Sequence, residues 1–364
     1  MSFEIENGVL KAYHPENHES ILEIPEGVRE IGDGVFHGQM DLTEVRLNSD
    51  LKRIGRQAFE ACRNLLVCDL PEGIEELGFR CFAVTMLTRV RLPLSLKKTE
   101  DGIFDGCMNY EELTVPGNMK SVGEVAFSAN RHVRKVRIEE GVEKLCRRAF
   151  NGNPELEDIT LPSTIREMEP YAFDGTMAPR FVELSGEVKR VWDDSFCGCQ
   201  GLEQLTLNEG TEEIGTRAFA YCGNLQQVTM PSTMRSLGFR AFSGCRRLKA
   251  ITLPEKVREI PDYCFYRCEG LLEITVPGGV ERIGDSAFAG CTSLKRIMIP
   301  DSVKEIGPRA FEDCTSLSEI QLPKELKKIG FLAFAGARQA ELTVPEKAAV
   351  GEMAFFKKED NGRM

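Results

Sequence analysis

The thirteen cysteines are the residues of this chain that most obviously could bind a metal or react. The pairs Cys197/Cys199 and Cys264/Cys268 stand close enough together to suggest metal ligation. Thiolates and imidazoles are the preferred protein ligands of zinc. No Cys-x-x-Cys motif is present, however, and no histidine stands near either pair. The sequence therefore predicts no metal site.

Four histidines offer a second route to chemistry. His14 and His18 have the four-residue spacing of a zinc-binding helix turn, but Pro15 and Asn17 favour a turn there instead. We find no Ser/His/Asp or Cys/His arrangement that stands out, and no glycine-rich phosphate loop. The residues thus predict a protein that is not an enzyme and needs no cofactor.

Phenylalanine recurs along the chain with a nearly fixed period. Twelve of the thirteen intervals between Phe36 and Phe334 are 23 residues, and the interval from Phe82 to Phe104 is 22. Phe355 follows in a shortened final unit. A register kept over so much of the chain indicates a repeat protein rather than two or three ordinary domains.

Each repeat has an internal pattern, clearest in residues 276–299. Its closing Leu-x-x-Ile-x-Leu alternates apolar and polar residues, which predicts a strand with one buried face. A proline then ends that strand. The Val-x-x-Ile-Gly segment favours a second short strand, and the segment from there through Ala-Phe to Cys predicts a single turn of α or 3₁₀ helix.

Stacking of these coils is required for stability. Ordering one residue costs roughly 1–2 kcal/mol, whereas burying one phenylalanine returns only about 1.5–3 kcal/mol. A coil must therefore bury both broad faces against its neighbours. We expect one solenoid of about 14 coils over residues 24–344, an N-terminal hairpin-like cap over 1–23, and a degenerate last repeat with a charged tail over 345–364. Open ends would allow a monomer or weak end-to-end association.

Eight cysteines share one slot of the repeat, three residues after the phenylalanine. Asn or Thr takes the slot in other coils, so the slot favours a small group that packs and bonds the backbone. Side chains that point the same way into a core seldom bridge, and free thiols suit a reducing compartment. The cysteines in this slot are Cys62, Cys107, Cys199, Cys222, Cys245, Cys268, Cys291 and Cys314.

Charge and hydropathy exclude some partners. The net charge of −11 argues against nucleic acid, whose binders present a basic face. No apolar run approaches the roughly 18 residues of a membrane helix. Glu4 and Glu6 stand where a signal peptide would carry positive charge, so we expect no export signal of the usual kind.

The pattern L-x-x-I-x-L-P-x-x-V-x-x-I-G-x-x-A-F-x-x-C resembles the BspA-type leucine-rich repeat of bacteria, over about residues 24–344. The resemblance implies a right-handed leucine-rich-repeat solenoid with a parallel β-sheet on one face and short strands and turns on the other. It also implies protein binding or adhesion at a cell surface, without catalysis. The absent export signal instead suggests the cytoplasm.

Binding residues are expected at the outward positions of the closing strand. Charged coils carry Arg89 with Arg91 and Lys135 with Arg137, which could contact a partner or pair with charges on neighbouring strands. Farther along, a run of outward threonines is explained by β-propensity on a solvated sheet.

The middle of the chain departs from the repeat. Phe181 occupies an outward slot, and Trp192 replaces the usual glycine. Exposed tryptophan is enriched at binding hot spots. The alternative is that both rings fill gaps where the regular packing fails.

Taken together, the sequence predicts a non-enzymatic, adhesion-type binding scaffold. Its sheet face would contact a protein or a surface glycan. The alternative is an intracellular scaffold or regulator that uses the same face on a cytosolic partner.

Overall fold

The computed structural model describes residues 2–16, 18–337 and 343–356. They form a parallel β-solenoid of about 15 turns with about 23 residues each, which confirms the predicted fold class. By internal contacts the chain divides into two compact units, Met1–Pro179 and Arg180–Met364, and each is described by itself.

One coil shows how the repeat folds. The strand Glu273–Thr275, here called a first strand, buries Ile274 and exposes the residues on either side. The strand Arg282–Ile283, a second strand, buries Ile283 in the same way. Residues 284–291 form the turn segment, which carries the repeated phenylalanine. Most coils repeat this order, so first strands pair with first strands and second strands with second strands.

The first unit holds two groups of paired first strands and two groups of second strands. All pairs are parallel except the N-terminal hairpin, in which Ser2–Glu6 pairs antiparallel with Val9–His14. The first strands are Ile21–Glu23, Glu44–Arg46, Glu112–Val115, Lys135–Ile138 and Asp158–Thr160. The hairpin strand Val9–His14 is followed by the second strands Glu30–Ile31, Arg53–Ile54, Glu76–Leu77, Lys98–Thr99, Ser121–Val122, Lys144–Leu145 and Glu167–Met168.

The second unit repeats the plan with parallel pairing throughout. Its first strands are Phe181–Leu184, Gln204–Leu207, Gln227–Thr229, Ala250–Thr252, Glu273–Thr275, Arg296–Met298 and Glu319–Gln321. Its second strands are Arg190–Val191, Glu213–Ile214, Glu259–Ile260, Arg282–Ile283, Glu305–Ile306, Lys328–Ile329 and Ala349–Val350.

The turn segments are not helical, so the prediction of an α or 3₁₀ turn was wrong for the described residues. Alternate amides donate to the next coil instead, as from Phe219 to the Ala241 carbonyl (2.9 Å) and from Tyr221 to the Ser243 carbonyl (2.7 Å). The amides between them close turns with the carbonyl three residues earlier. Positive φ angles at Arg217 (55°) and Tyr221 (61°) rule out a continuous right-handed helix.

The phenylalanines of the turn segments form a buried stack in each unit. In the first unit, ring centroids are 5.0 Å apart for Phe36 and Phe59 and 5.8 Å apart for Phe104 and Phe127, with interplanar angles of 8° in both. This near-parallel offset stacking is a favourable aromatic geometry. In the second unit the centroid of Phe219 lies 5.6 Å from that of Phe242. The stacks fix the spacing of the coils.

Both ends extend the aromatic stacks. At the N-terminus the ring of Tyr13, on the hairpin, lies 5.2 Å from Phe36 at an angle of 50°. At the C-terminus Phe355 stacks on Phe334 at 5.6 Å. The predicted charged tail, residues 357–364, lies outside the described residues.

Close approach of successive coils explains the glycine after the second strand. A Cβ atom at Gly284 would lie 2.4 Å from Oδ1 of Asp262 in the preceding coil. That same carboxylate oxygen accepts the Asp285 amide at 2.8 Å. Glycine is therefore needed here because another coil's backbone and carboxylate occupy the space.

Replacing one ring of the stack tests whether it is the core. We expect Phe219→Ala to lower the free energy of unfolding by about 3–5 kcal/mol, because a fully buried ring is replaced by a cavity. Urea denaturation followed by circular dichroism measures the loss. Phe181→Ala is the matched control, since that ring is 57% exposed. Equal, small losses from the two variants would contradict the role of the stack.

Candidate functional site

Outward residues of the first strands form the face we consider first. Alternate residues of each strand point inward, as Leu205, Ile251 and Ile274 do, and the residues that flank them face solvent. In the second unit we call these residues the first-strand face. They are Phe181, Glu183, Gln204, Thr206, Gln227, Thr229, Ala250, Thr252, Glu273, Thr275, Arg296, Met298, Glu319 and Gln321.

Threonines occupy the centre of this face. Thr206 is paired in register with Thr229, and Thr252 with Thr275. Short β-branched side chains on adjacent strands make a level, polar surface with little side-chain entropy to lose. Such a surface can lie against an extended partner.

Met298 is the most exposed large apolar side chain of the face, at 75%. It lines a shallow groove of about 970 Å³ together with Glu273, Thr275, Arg296 and other residues of three adjacent coils. Arg296 is tied to Glu273 by an ion pair of 2.6 Å. Met298 was not among the residues predicted from the sequence, although an apolar residue at an outward position of a closing strand was the available signal.

In the first unit, two of the predicted basic residues pair with acidic neighbours. Nε of Arg89 donates to Asp69 at 2.8 Å, and Nζ of Lys135 lies 3.8 Å from Asp158. These contacts match the alternative of pairing between coils. All four side chains are more than half exposed, so each pair contributes little to stability.

Arg91 and Arg137 differ from their neighbours. Neither forms an ion pair with any described residue, and both are exposed. Arg137 lies on the strand Lys135–Ile138, whereas Arg91 lies outside any strand, where the interval between repeated phenylalanines is 22 residues instead of 23. Arg91 lines a groove of about 470 Å³ with Leu94, which is 69% exposed. An arginine and an exposed leucine thus meet in the first unit.

Phe181 and Trp192 are not brought together by strand pairing. Phe181 is on a first strand, with the Arg180 guanidinium 5.4 Å from its ring centroid. Trp192 directly follows the second strand Arg190–Val191, and its half-buried ring is covered by Arg190 at 4.3 Å. Only Phe181 belongs to the first-strand face.

On the outward side of the second strands, acidic and basic residues alternate from coil to coil, and most of them form ion pairs with their neighbours. In the first unit Arg53 contacts Glu30 at 2.5 Å and Glu76 at 3.6 Å. In the second unit Lys328 contacts Glu305 at 2.6 Å. These residues satisfy one another across coils, which leaves them little to offer a partner.

The cysteine slot is explained by backbone bonding. The thiol of Cys245 donates to the Phe219 carbonyl of the preceding coil at 3.2 Å, and Cys268 donates likewise to Phe242 at 3.1 Å. Asn153 makes the equivalent bond to the Phe127 carbonyl at 2.9 Å. All thirteen cysteines lie within the described residues and none is bridged. The slot is structural.

The cysteine and histidine pairs noted in the sequence do not assemble into a site. No cluster of three or more potential ligands occurs in the described residues. Cys264 and Cys268 are fully buried, and burial raises the pKa of the Cys268 thiol to about 12. His14 contacts Glu4 at 3.0 Å and His18 contacts Asp41 at 3.1 Å, both at the surface.

Burial predicts the order in which the thiols react. The half-buried Cys146 has its pKa raised to about 11, first by burial and then by the charge of Glu169. At pH 8 we expect iodoacetamide to label Cys146 slowly, because little thiolate is present, and faster as pH rises. Cys245 and Cys268 should remain unlabelled until urea unfolds the chain.

Peptide mass spectrometry of the labelled protein measures these rates. Labelling of Cys245 or Cys268 in the native protein, as fast as in urea, would contradict the packed slot.

Comparison with known proteins identifies the family. A model of the BspA-type leucine-rich repeat region, in six copies, matches residues 11–134, 129–249 and 235–361. These matches cover nearly the whole chain, so the chain belongs to the BspA-type leucine-rich repeat family. Members of this family are repeat scaffolds.

Solved structures agree with this assignment. A leucine-rich repeat protein from Bacteroides ovatus ATCC 8483 is 28% identical, with a TM-score of 0.81 over 95% of this chain and 93% of that one. Another from Eubacterium ventriosum ATCC 27560 is 22% identical, with a TM-score of 0.52 over 89% and 86%, and shows likeness of fold alone. A search of the curated proteins found no match. Among the described residues, no helix has the length and apolar character needed to span a bilayer.

Proposed function

We propose that this chain is a non-enzymatic scaffold of the adhesion type that binds a partner protein through its first-strand face. The observation that supports this most is the contrast between the two strand faces of a coil. Second-strand charges such as Arg53 and Lys328 pair with neighbouring carboxylates. The first-strand face instead exposes Met298 and Phe181. Exposed apolar residues rimmed by polar ones favour protein association.

The chemistry of the face suits a protein partner. Methionine adapts its shape to an apolar surface, and aromatic and arginine residues are enriched at interface centres. Thr252 and Thr275, on adjacent strands between Phe181 and Met298, provide hydroxyl groups that can form hydrogen bonds with the backbone of an extended partner. We infer an extended footprint over several coils rather than one deep pocket.

A binding role also fits the titration of the described residues. Burial inside the coils raises the pKa of thiols such as those of Cys222 and Cys291 well above its ordinary value. A reactive cysteine has a lowered pKa and an exposed thiolate. These groups therefore support packing rather than catalysis.

The free cysteines favour a second setting for the same binding function. Thirteen unbridged thiols suit a reducing compartment, because secreted proteins of oxidising compartments usually pair theirs. In that setting the chain would be an intracellular scaffold or regulator with a cytosolic partner.

Site-specific photocrosslinking tests the proposed face. A benzoylphenylalanine residue would replace Met298, and the control would carry it in place of Lys328 on a second strand, which is 57% exposed. We expect a discrete protein adduct from the Met298 position, suppressed by excess unlabelled protein. Adducts on surface proteins of intact cells support adhesion, and adducts formed only in lysate support the intracellular setting.

Three results would overturn the proposal. The first is equal crosslinking from both positions, and the second is none from Met298. The third is retention on immobilised surface glycans that is lost in Met298→Glu, since the partner would then be a sugar.

A further inference from the structure

The turn segments of three consecutive coils in the second unit carry aromatic and arginine side chains that the first-strand face does not include. None of these side chains was among the site residues predicted from the sequence. We call this cluster the turn patch, and it consists of Tyr221, Phe239, Arg240, Tyr263, Tyr266 and Arg267.

Arg240 is the centre of the turn patch. Its guanidinium carbon lies 5.1 Å from the ring centroid of Phe239 and 4.8 Å from that of Tyr263. The two rings are themselves in edge-to-face contact at 5.6 Å. Two aromatic contacts hold the cation in place, while its Nε has no hydrogen-bond partner among the described residues.

The cluster continues on both sides. Tyr266 contacts Tyr263 edge-to-face at 5.6 Å, and the Arg267 guanidinium lies 5.6 Å from the Tyr266 ring. On the other side, a Cβ atom at Gly244 would lie 2.9 Å from Cδ1 of Tyr221, so this glycine makes room for the ring. Tyr221 is 46% exposed. The ring and guanidinium contacts thus run from Phe239 to Arg267, and Tyr221 is exposed in the neighbouring coil.

The charges of the patch are unbalanced. Neither Arg240 nor Arg267 forms an ion pair with a described residue. By contrast Arg235, in the same coil as Arg240, contacts Glu212 at 3.1 Å. Two arginines held against aromatic rings without a carboxylate partner leave positive charge available to an anionic partner.

The backbone conformation of two patch residues belongs to the repeat. Eight coils place a glycine with positive φ two residues after the repeated phenylalanine, and Tyr221 (61°) and Arg267 (54°) adopt the same conformation. Ala61, Val84 and Ala129 do so in other coils as well. The feature that is particular to the patch is therefore the size and chemistry of these two side chains.

We propose that the turn patch docks an acidic segment of a partner protein, separately from the first-strand face. Carboxylates of the segment would pair with Arg240 and Arg267, and its apolar side chains would pack on the exposed rings of Tyr221 and Phe239. Arginine and carboxylate form strong charge-assisted hydrogen bonds, and tyrosine and arginine dominate interface hot spots. Edge-to-face rings present small facets rather than the flat platform on which a sugar ring stacks.

Fluorescence polarisation of the full chain with a labelled peptide tests the proposal. The probe is a seven-residue peptide that alternates glutamate with phenylalanine or leucine, and its comparison peptide has lysine in place of every glutamate. The test variant is R240Q/R267Q. The matched control is R235Q/R258Q, which removes the same charge from the same two coils away from the rings.

We expect the glutamate peptide to bind at least about tenfold more tightly than the lysine peptide. Binding should weaken about tenfold in R240Q/R267Q and remain unchanged in R235Q/R258Q. Tyr221→Ala should also weaken binding without lowering the melting temperature, because alanine is smaller but no more strained there.

Three results would overturn the proposal. The first is an equal loss of peptide affinity in the two double variants, and the second is no preference for the glutamate peptide over the lysine peptide. The third is that the peptide does not bind but dextran sulfate does, in a way that depends on Arg240. The last result would indicate an anionic glycan instead. Because Met298 is untouched in every variant, failure here leaves the test of the first-strand face unaffected.

Discussion

Backbone hydrogen bonds between successive coils are the constraint on which the rest of this structure depends. They run along the first strands, along the second strands and through the turn segments, where alternate amides such as that of Phe219 donate to the next coil. With three sides fixed, equivalent residues of neighbouring coils must lie one above another. A coil alone has no partner for these groups, so its stability comes from its neighbours.

This constraint assigns most residues of the repeat to structure. Phe219 stacks on Phe242, Cys245 donates to the Phe219 carbonyl, and Gly284 makes room for the preceding coil. Function is left to positions whose side chains leave the stack. The exposed Met298 on the first-strand face and Arg240 in the turn patch are such positions.

The spacing of Phe and Cys predicted the fold because residues of one type at the same position of successive repeats indicate coils that stack in register. The turn segment was mispredicted because a local helical rule cannot show that the Phe219 amide bonds a residue 22 positions later. Arg89 was predicted at an outward strand position, and it is exposed but lies outside any strand. Its pairing with Asp69 depends on side-chain reach, which the register of the repeat does not show. The turn patch was missed because Arg240 and Tyr263 are 23 residues apart. Tyrosine at position 221, where glycine is usual, was the available signal.

Hydrogen–deuterium exchange of the native protein tests the inter-coil bonding most directly. The account predicts that the amides of Phe219 and Tyr221, which donate to the next coil, are protected as strongly as the first-strand amide of Leu205. Proteolysis and mass spectrometry resolve these segments. Exchange of the turn amides at the rate of an unstructured loop, while the strand amides stay protected, would contradict it, because the coils would then be joined by their sheets alone.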